Sequence, residues 1–308
     1  MHIESVLPRD AIASIDDPSF GSAYDGDDSD EVVLVETDPP RGYPVRILNY
    51  HEIVNDAVDG RPIAVTWCPI CGSAVVYEAV VDSQPLTFGV SGKLADDDLV
   101  LYDRQTNSEW KQSTGRCFAG ELDGAMLDVV PAPMLSVGAF REAYPDGLLL
   151  QPESDGSAKA RNYDSTPYEA YVESEGFGLG PMRGSGPSRE WNREDIEPKT
   201  VVLGVECGEA AVGFPLPAIE AAGGMLVSTV GDQTVVVVAT DDGLHAFEDP
   251  GFELSLDSDG RLRGDDTVWI LPTAESDDGR QLSRVSARRL FAFAWQDDHD
   301  PDSFYSSA

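Results

Sequence analysis

Residues 58–78 read Val-Asp-Gly-Arg-Pro-Ile-Ala-Val-Thr-Trp-Cys-Pro-Ile-Cys-Gly-Ser-Ala-Val-Val-Tyr-Glu, and this stretch decides the fold class. An Asp59-Gly60 turn signal opens a β-branched run, Arg61 to Thr66. Cys68-Pro69-Ile70-Cys71-Gly72 interrupts it, and a second strand-like run starts at Ser73. Working outward, Glu31 to Glu36, Leu86 to Val90 and Leu99 to Asp103 continue the same pattern of short apolar runs bounded by turn residues. Val45 to Val58 has the mixed spacing of a helix, as does Pro133 to Tyr144, closed by Tyr144-Pro145-Asp146. The chain is therefore expected to be a β-rich α+β protein.

The two halves of the chain echo one another in order. Glu31-Val32-Val33-Leu34 matches Thr200-Val201-Val202-Leu203, and Gly42-Tyr43-Pro44-Val45 matches Gly213-Phe214-Pro215-Leu216. The opening stretch from Val58 to Val65 falls on Val230 to Val237, and Ala74 to Glu78 falls on Leu244 to Glu248. An internal duplication is expected, with residues 1–150 as the first half and residues 199–308 as a second, degenerate half. Residues 151–198, rich in Ser, Gly, Pro and charge, would connect them as a linker or a functional cover, pinned by Tyr163, Tyr168 and Tyr171. In this alignment Cys68 falls on Thr240, Cys71 on Gly243 and His51 on Gly223, so the chemistry is expected in the first half alone.

Composition bounds the partners. The 308 residues carry 56 acidic against 21 basic side chains, a net charge of −35, and only Lys93, Lys111, Lys159 and Lys199 as lysines. Such a surface repels nucleic acid and anionic lipid, which both need positive charge opposite phosphate. Acidic clusters scattered along the whole chain read as adaptation to a salt-rich cytoplasm, where screening removes most self-repulsion. No window is long and apolar enough for a membrane span, and the N-terminal residues lack a signal-peptide pattern. Four cysteines are too few for a disulfide scaffold, so a cytoplasmic protein with reduced thiols is expected.

The Cys-Pro-Ile-Cys-Gly run offers two sulfurs to one centre, as a zinc knuckle does, with glycine permitting the tight turn. Four ligands close a structural zinc site, and no second Cys-x-x-Cys exists. His51 is the expected third metal ligand, with Glu52, Asp56 or Cys117 as a fourth; an open fourth position would suit catalysis. Zinc is the leading ion, with iron or copper as alternatives. Thiol chemistry is the competing reading, with His51 or Glu52 activating Cys68 or Cys71, although the strand after Gly72 denies the pair a helix dipole. Buried, purely structural cysteines are the third. On a helix, His51 and Asn55 would share one face and Glu52 and Asp56 the next. Downstream, Asp103 and Arg104 form a charge pair beside Trp110: a clamp and pocket wall for an anionic small molecule, or a structural ion pair with a buried tryptophan.

Several motifs converge on one family. Asp10-Ala11-Ile12 with Asp16-Asp17-Pro18, Tyr43-Pro44, the run His51 to Asp56, Cys68 to Ala74, Phe88-Gly89-Val90-Ser91-Gly92, Leu99 to Arg104, and Trp110 with Gln112 resemble the domain-of-unknown-function family 3179, in its halophilic archaeal form. Tyr163, Pro167 and Tyr168 extend the resemblance into the connecting segment. The family carries no established reaction. The resemblance implies one recurrent site involving His51, Glu52, Asn55, Cys68, Cys71, Ser91, Asp103, Arg104 and Trp110. Its expected function is metal-dependent or thiol-dependent handling of a small molecule, with a non-enzymatic binding or scaffold module as the alternative.

Overall fold

The computed structural model describes residues 1–153, 163–186 and 188–306. Residues 154–162 and 187 of the connecting segment, Lys159 among them, lie outside the described residues. The chain is β-rich, with 41% strand and 12% helix spread over several sheets. No helix among the described residues is long and apolar enough to cross a membrane.

The opening stretch forms a hairpin. Ile53–Val58 and Arg61–Cys68 pair across the turn Asp59-Gly60, where both residues take positive φ (50° and 78°), as the right-handed twist of a two-residue hairpin demands. Arg61–Cys68 then pairs with Ser73–Glu78, ending on Cys68 opposite Ser73.

This hairpin lies in a sheet that draws on both halves of the chain. Its strand order is Ala210–Pro215, Val201–Cys207, Ala287–Phe291, Ser73–Glu78, Arg61–Cys68, Ile53–Val58, with Val129–Val130 also beside Ser73–Glu78. A second sheet runs Met225–Val230, Gln233–Thr240, Gly243–Glu248, Met134–Ser136, Glu31–Val35, Arg41–Pro44, then Leu148–Leu150 and Phe20–Gly21. The six shared positions have the same order once the halves are exchanged. The junctions match as well: Arg289 faces Ala74 in one sheet, and Met134 faces Leu244 in the other. A helix follows the corresponding strands on each side: Val45–His51 and Leu216–Ala221 after a proline, Val137–Ala143 and Ala292–Asp298 after the central strands.

Each half adds a smaller sheet, built mainly from strands that follow its last hairpin strand. In the first half, Ile3–Ser5, Phe88–Ala95, Asp98–Asp103, Glu109–Lys111 and Cys117–Ala119 make five antiparallel strands. In the second half, Leu254–Leu256, Leu262–Gly264, Thr267–Ile270 and Glu275–Ser276 make four. The largest core packs the five-stranded sheet onto the hairpin, joining Cys68, Ile70, Cys71 and Tyr77 with Leu99, Leu101 and Trp110, and with Phe291 and Trp295 from the far end of the chain. Burying such side chains contributes about 1.5–3 kcal/mol each.

Two sequence expectations change. The helix expected over Val45 to Val58 stops at His51. Glu52 turns left-handed (φ 59°), and Ile53–Val58 is a strand, because its β-branched residues find ladder partners in Arg61–Thr66. Asn55 and Asp56 therefore do not stack on His51 and Glu52 along a helix. Likewise Met134–Ser136 is a strand, and the helix begins only at Val137, capped by the Ser136 hydroxyl accepting from the Ala139 amide at 3.1 Å.

Candidate metal centre

Four residues, 69–72, make the turn between the two hairpin strands, and every carbonyl from Ile70 to Gly72 is held from outside. The Tyr171 hydroxyl donates to Ile70 O at 2.9 Å, the Phe291 amide to Cys71 O at 2.7 Å, and Arg289 Nη1 to Gly72 O at 2.7 Å. Gly72 has φ 56°, and a Cβ there would lie 2.8 Å from the Phe291 ring, so only glycine fits. The second half and the connecting segment thus fix a turn that belongs to the first half.

That turn brings Cys68 and Cys71 together with Asp98, the first residue of a strand in the five-stranded sheet. Their sulfurs and a carboxylate oxygen all lie within 4.8 Å of one another, and all three residues are buried. The Asp98 carboxylate accepts from the Ser113 amide at 2.8 Å through Oδ2. Its Oδ1 is buried with no hydrogen-bond partner among the described residues, and so are Ser73 Oγ, Gln112 Oε1 and Ser113 Oγ. Gln112 Nε2 meanwhile donates to Thr66 Oγ1 at 2.9 Å, between the two sheets. Orphaned acceptors in a dry interior are costly, and a proton, a water or a cation relieves them.

Burial dominates the electrostatics. It pushes the Asp98 carboxyl up to about 6, against the pull of the nearby Lys111 ammonium. Lys111 is itself held by Asp298 at 2.5 Å. Burial raises both thiols, with Asp98 adding to the rise, and Cys71 lies well above its ordinary value. Left to themselves the sulfurs stay protonated, which disfavours a thiolate nucleophile. A cation among the three groups would reverse every one of these shifts.

Glu52 stands beside this cluster. The residue is only 7% exposed, and its carboxyl accepts no hydrogen bond among the described residues and is pushed by burial up to about 8. With Cys68 and Tyr168 it lines a pocket of about 80 Å³ whose other walls are chiefly apolar. His51 is the last residue of the helix that Glu52 caps. Its Nδ1 is 2.8 Å from Ala13 O and its Nε2 is 2.7 Å from the Tyr163 hydroxyl. Both nitrogens are engaged, and the three-residue cluster forms without it.

The remaining expected site residues belong neither to the three-residue cluster nor to the lining of this pocket, and pair elsewhere. Asn55 copies a backbone amide, exchanging hydrogen bonds with Phe88 N and O at 2.8 Å, and its Nδ2 also reaches Asp16. Ser91 Oγ donates to Val100 O at 2.6 Å across the bulge between paired strands. Asp103 gathers Thr106, the Ser108 amide and Trp110 Nε1, the last at 3.0 Å, and Trp110 is fully buried against Phe88. Arg104 is tied to Asp16 at 2.5 Å and to Ser14.

Asp98 and its neighbours Lys111 and Ser113 escape sequence reading. Asp98 closes the run Asp96-Asp97-Asp98, which looks like more surface acidity. The one available signal is that Asp96 and Asp97 form a tight turn (φ 53° and 67°) between two apolar runs, which turns the third aspartate into a strand residue facing inward.

Residues 9–303 match the family model described as "Protein of unknown function (DUF3179)", so the chain belongs to that family. No curated protein and no solved structure matches the chain.

Proposed function

We propose that this member of the DUF3179 family binds one metal ion through Cys68, Cys71 and Asp98 and handles a small molecule beside it. The observation that carries the reading is a buried Asp98 carboxylate oxygen within 4.8 Å of two thiols, on a carboxylate whose Oδ1 has no hydrogen-bond partner among the described residues. Two sulfurs and one carboxylate suit zinc, and three protein ligands leave a fourth position for water or substrate. An ion there would act as a Lewis acid. In this reading Glu52 faces the ligand, while His51 positions the connecting segment through Tyr163. Asn55, Ser91, Asp103, Arg104 and Trp110 brace the five-stranded sheet from which Asp98 comes.

The matching strand orders support descent of the two halves from one duplicated unit, with the metal site kept in the first. The net charge of −35 supports a salt-rich, halophilic cytoplasm as the working environment.

Elemental analysis of the purified protein tests the metal site. One equivalent of zinc, lost in Cys68→Ser/Cys71→Ser and weakened in Asp98→Asn, is the expected result. Metal-free wild type with a titratable Cys68–Cys71 disulfide would move the reading to a redox couple. Metal-free wild type whose double variant folds and behaves normally would leave the cysteines structural.

A further inference from the structure

Glu52 has an unusual backbone for its side chain. It closes the helix Val45–His51 with φ 59° and ψ −27°, a conformation that costs a non-glycine residue about 1–2 kcal/mol. At the corresponding bend of the second half, after the helix Leu216–Ala221, stand Gly223 and Gly224, with φ 85° and 88°. Glycine is thus the natural occupant of this bend, and the first half places a glutamate there. The side chain gains nothing visible for the fold in return, since no described residue donates to it. The residue lines the small pocket that also takes in Cys68.

The pocket's other polar group is Tyr168, from the connecting segment. Its hydroxyl lies close enough to Glu52 and Cys68 for their charges to act on it, and no described residue bonds to it. Lys93 contributes only its stem, because its ammonium pairs with Glu109 at 2.6 Å. Ile12, Leu94, Leu99 and Met182 supply apolar walls. The chain's net charge of −35 disfavours anionic ligands.

We infer that this pocket binds a short-chain aliphatic alcohol group. Its hydroxyl hydrogen donates to the Glu52 carboxyl, its oxygen accepts from Tyr168, and its chain lies against Leu94 and Met182. A hydroxyl both donates and accepts, so it satisfies two otherwise idle polar groups at once; an ether of the same size cannot donate to Glu52. The inference names the ligand of the proposed metal site and rests on that reading only for the proximity of a metal. The pocket itself is a separate observation.

Saturation-transfer NMR with two isomeric probes, butan-1-ol and methyl propyl ether, tests it on the whole chain. The alcohol is expected to bind roughly tenfold more tightly than the ether, the worth of one hydrogen bond to a buried acceptor. Glu52→Gly suits the left-handed backbone and should fold; it is expected to erase the preference. Met182→Trp, which would fill the pocket from its lining, is expected to abolish both signals. Equal binding of the two probes to wild type, or binding that survives Met182→Trp, overturns the inference. Metal analysis of the same samples separates the two readings. Stoichiometric metal without alcohol binding sinks the pocket inference alone, whereas alcohol binding without metal supports it and sinks the metal site alone.

Discussion

The hairpin Arg61–Glu78 and its counterpart Gln233–Glu248 hold the same place in two sheets of the same strand order, yet their turns differ. Thr240 and Gly243 close the second hairpin around two residues, Asp241 and Asp242, which are only a solvated corner. Cys68 and Ser73 close the first around four, and those four carry a sulfur, a buried apolar side chain and three externally held carbonyls. The scaffold is satisfied by two turn residues. What the longer turn adds is a pair of thiols within reach of a buried carboxylate: Cys68 and Cys71 meet Asp98, whereas the second hairpin buries the single imidazole of His245 with its Nε2 unpartnered among the described residues.

The largest test of this contrast is to remove the sulfurs. Cys68→Ser/Cys71→Ser, or a strong chelator on wild type, should lower the thermal midpoint by roughly 10 °C or more, since a bound metal is part of the folding free energy. The chelator should have no effect on the double variant. Equal chelator sensitivity in both proteins would sink the contrast.

The two halves should also respond to pH with opposite sign. In metal-free protein, Glu52 has its folded pKa raised to about 8, so the folded state holds the proton more tightly. Its contribution is complete below the ordinary carboxylate range and is lost as pH rises through about 8. Buried His245 in the second half is pushed down to about 3 by burial and by Arg284. Its contribution is present above about 6.5 and is lost as pH falls through about 3. Each slope approaches about 1.4 kcal/mol per pH unit within its window. Urea unfolding across pH should show Glu52→Gln flattening the alkaline limb only and His245→Asn the acid limb only.

A smaller effect should follow at the seam between the halves. Arg289 donates to Gly72 O, pairs with Glu31 at 3.3 Å and lies over the Trp67 ring. Arg289→Ala should cost about 2 kcal/mol and loosen the metal turn, read as faster metal loss to a chelator. Smallest is a cap. Ser136 caps the helix after the first central strand, while Phe291, in the matching place, offers no side-chain cap. Ser136→Ala should cost about 1 kcal/mol in denaturant unfolding.

The sequence made the β-rich class, the Asp59-Gly60 hairpin and the cysteine turn legible, because each is governed by local turn chemistry. It misplaced the helix end after His51, since a glutamate in a left-handed bend carries no local signature. Asp98 and Lys111 were hidden for a different reason. In a chain this acidic, a buried aspartate looks like its exposed neighbours until the sheet shows which way it faces. The expected third ligand, His51, has the right proximity in sequence, but its ring is drawn to Ala13 and Tyr163, a contact spanning 112 residues.

The strand Ala287–Phe291, described above as the neighbour of Ser73–Glu78, sets a timetable. The cysteine turn leaves the ribosome more than 200 residues before the partners Arg289 and Phe291 that hold its carbonyls. Until then the hairpin has an open edge, and its sulfurs are exposed to oxidants and stray ions. Such long-range closure is slow. The two thiols therefore wait through more than 200 residues of synthesis before the contacts that fix their turn can form, and an ion captured earlier would sit in a turn not yet held.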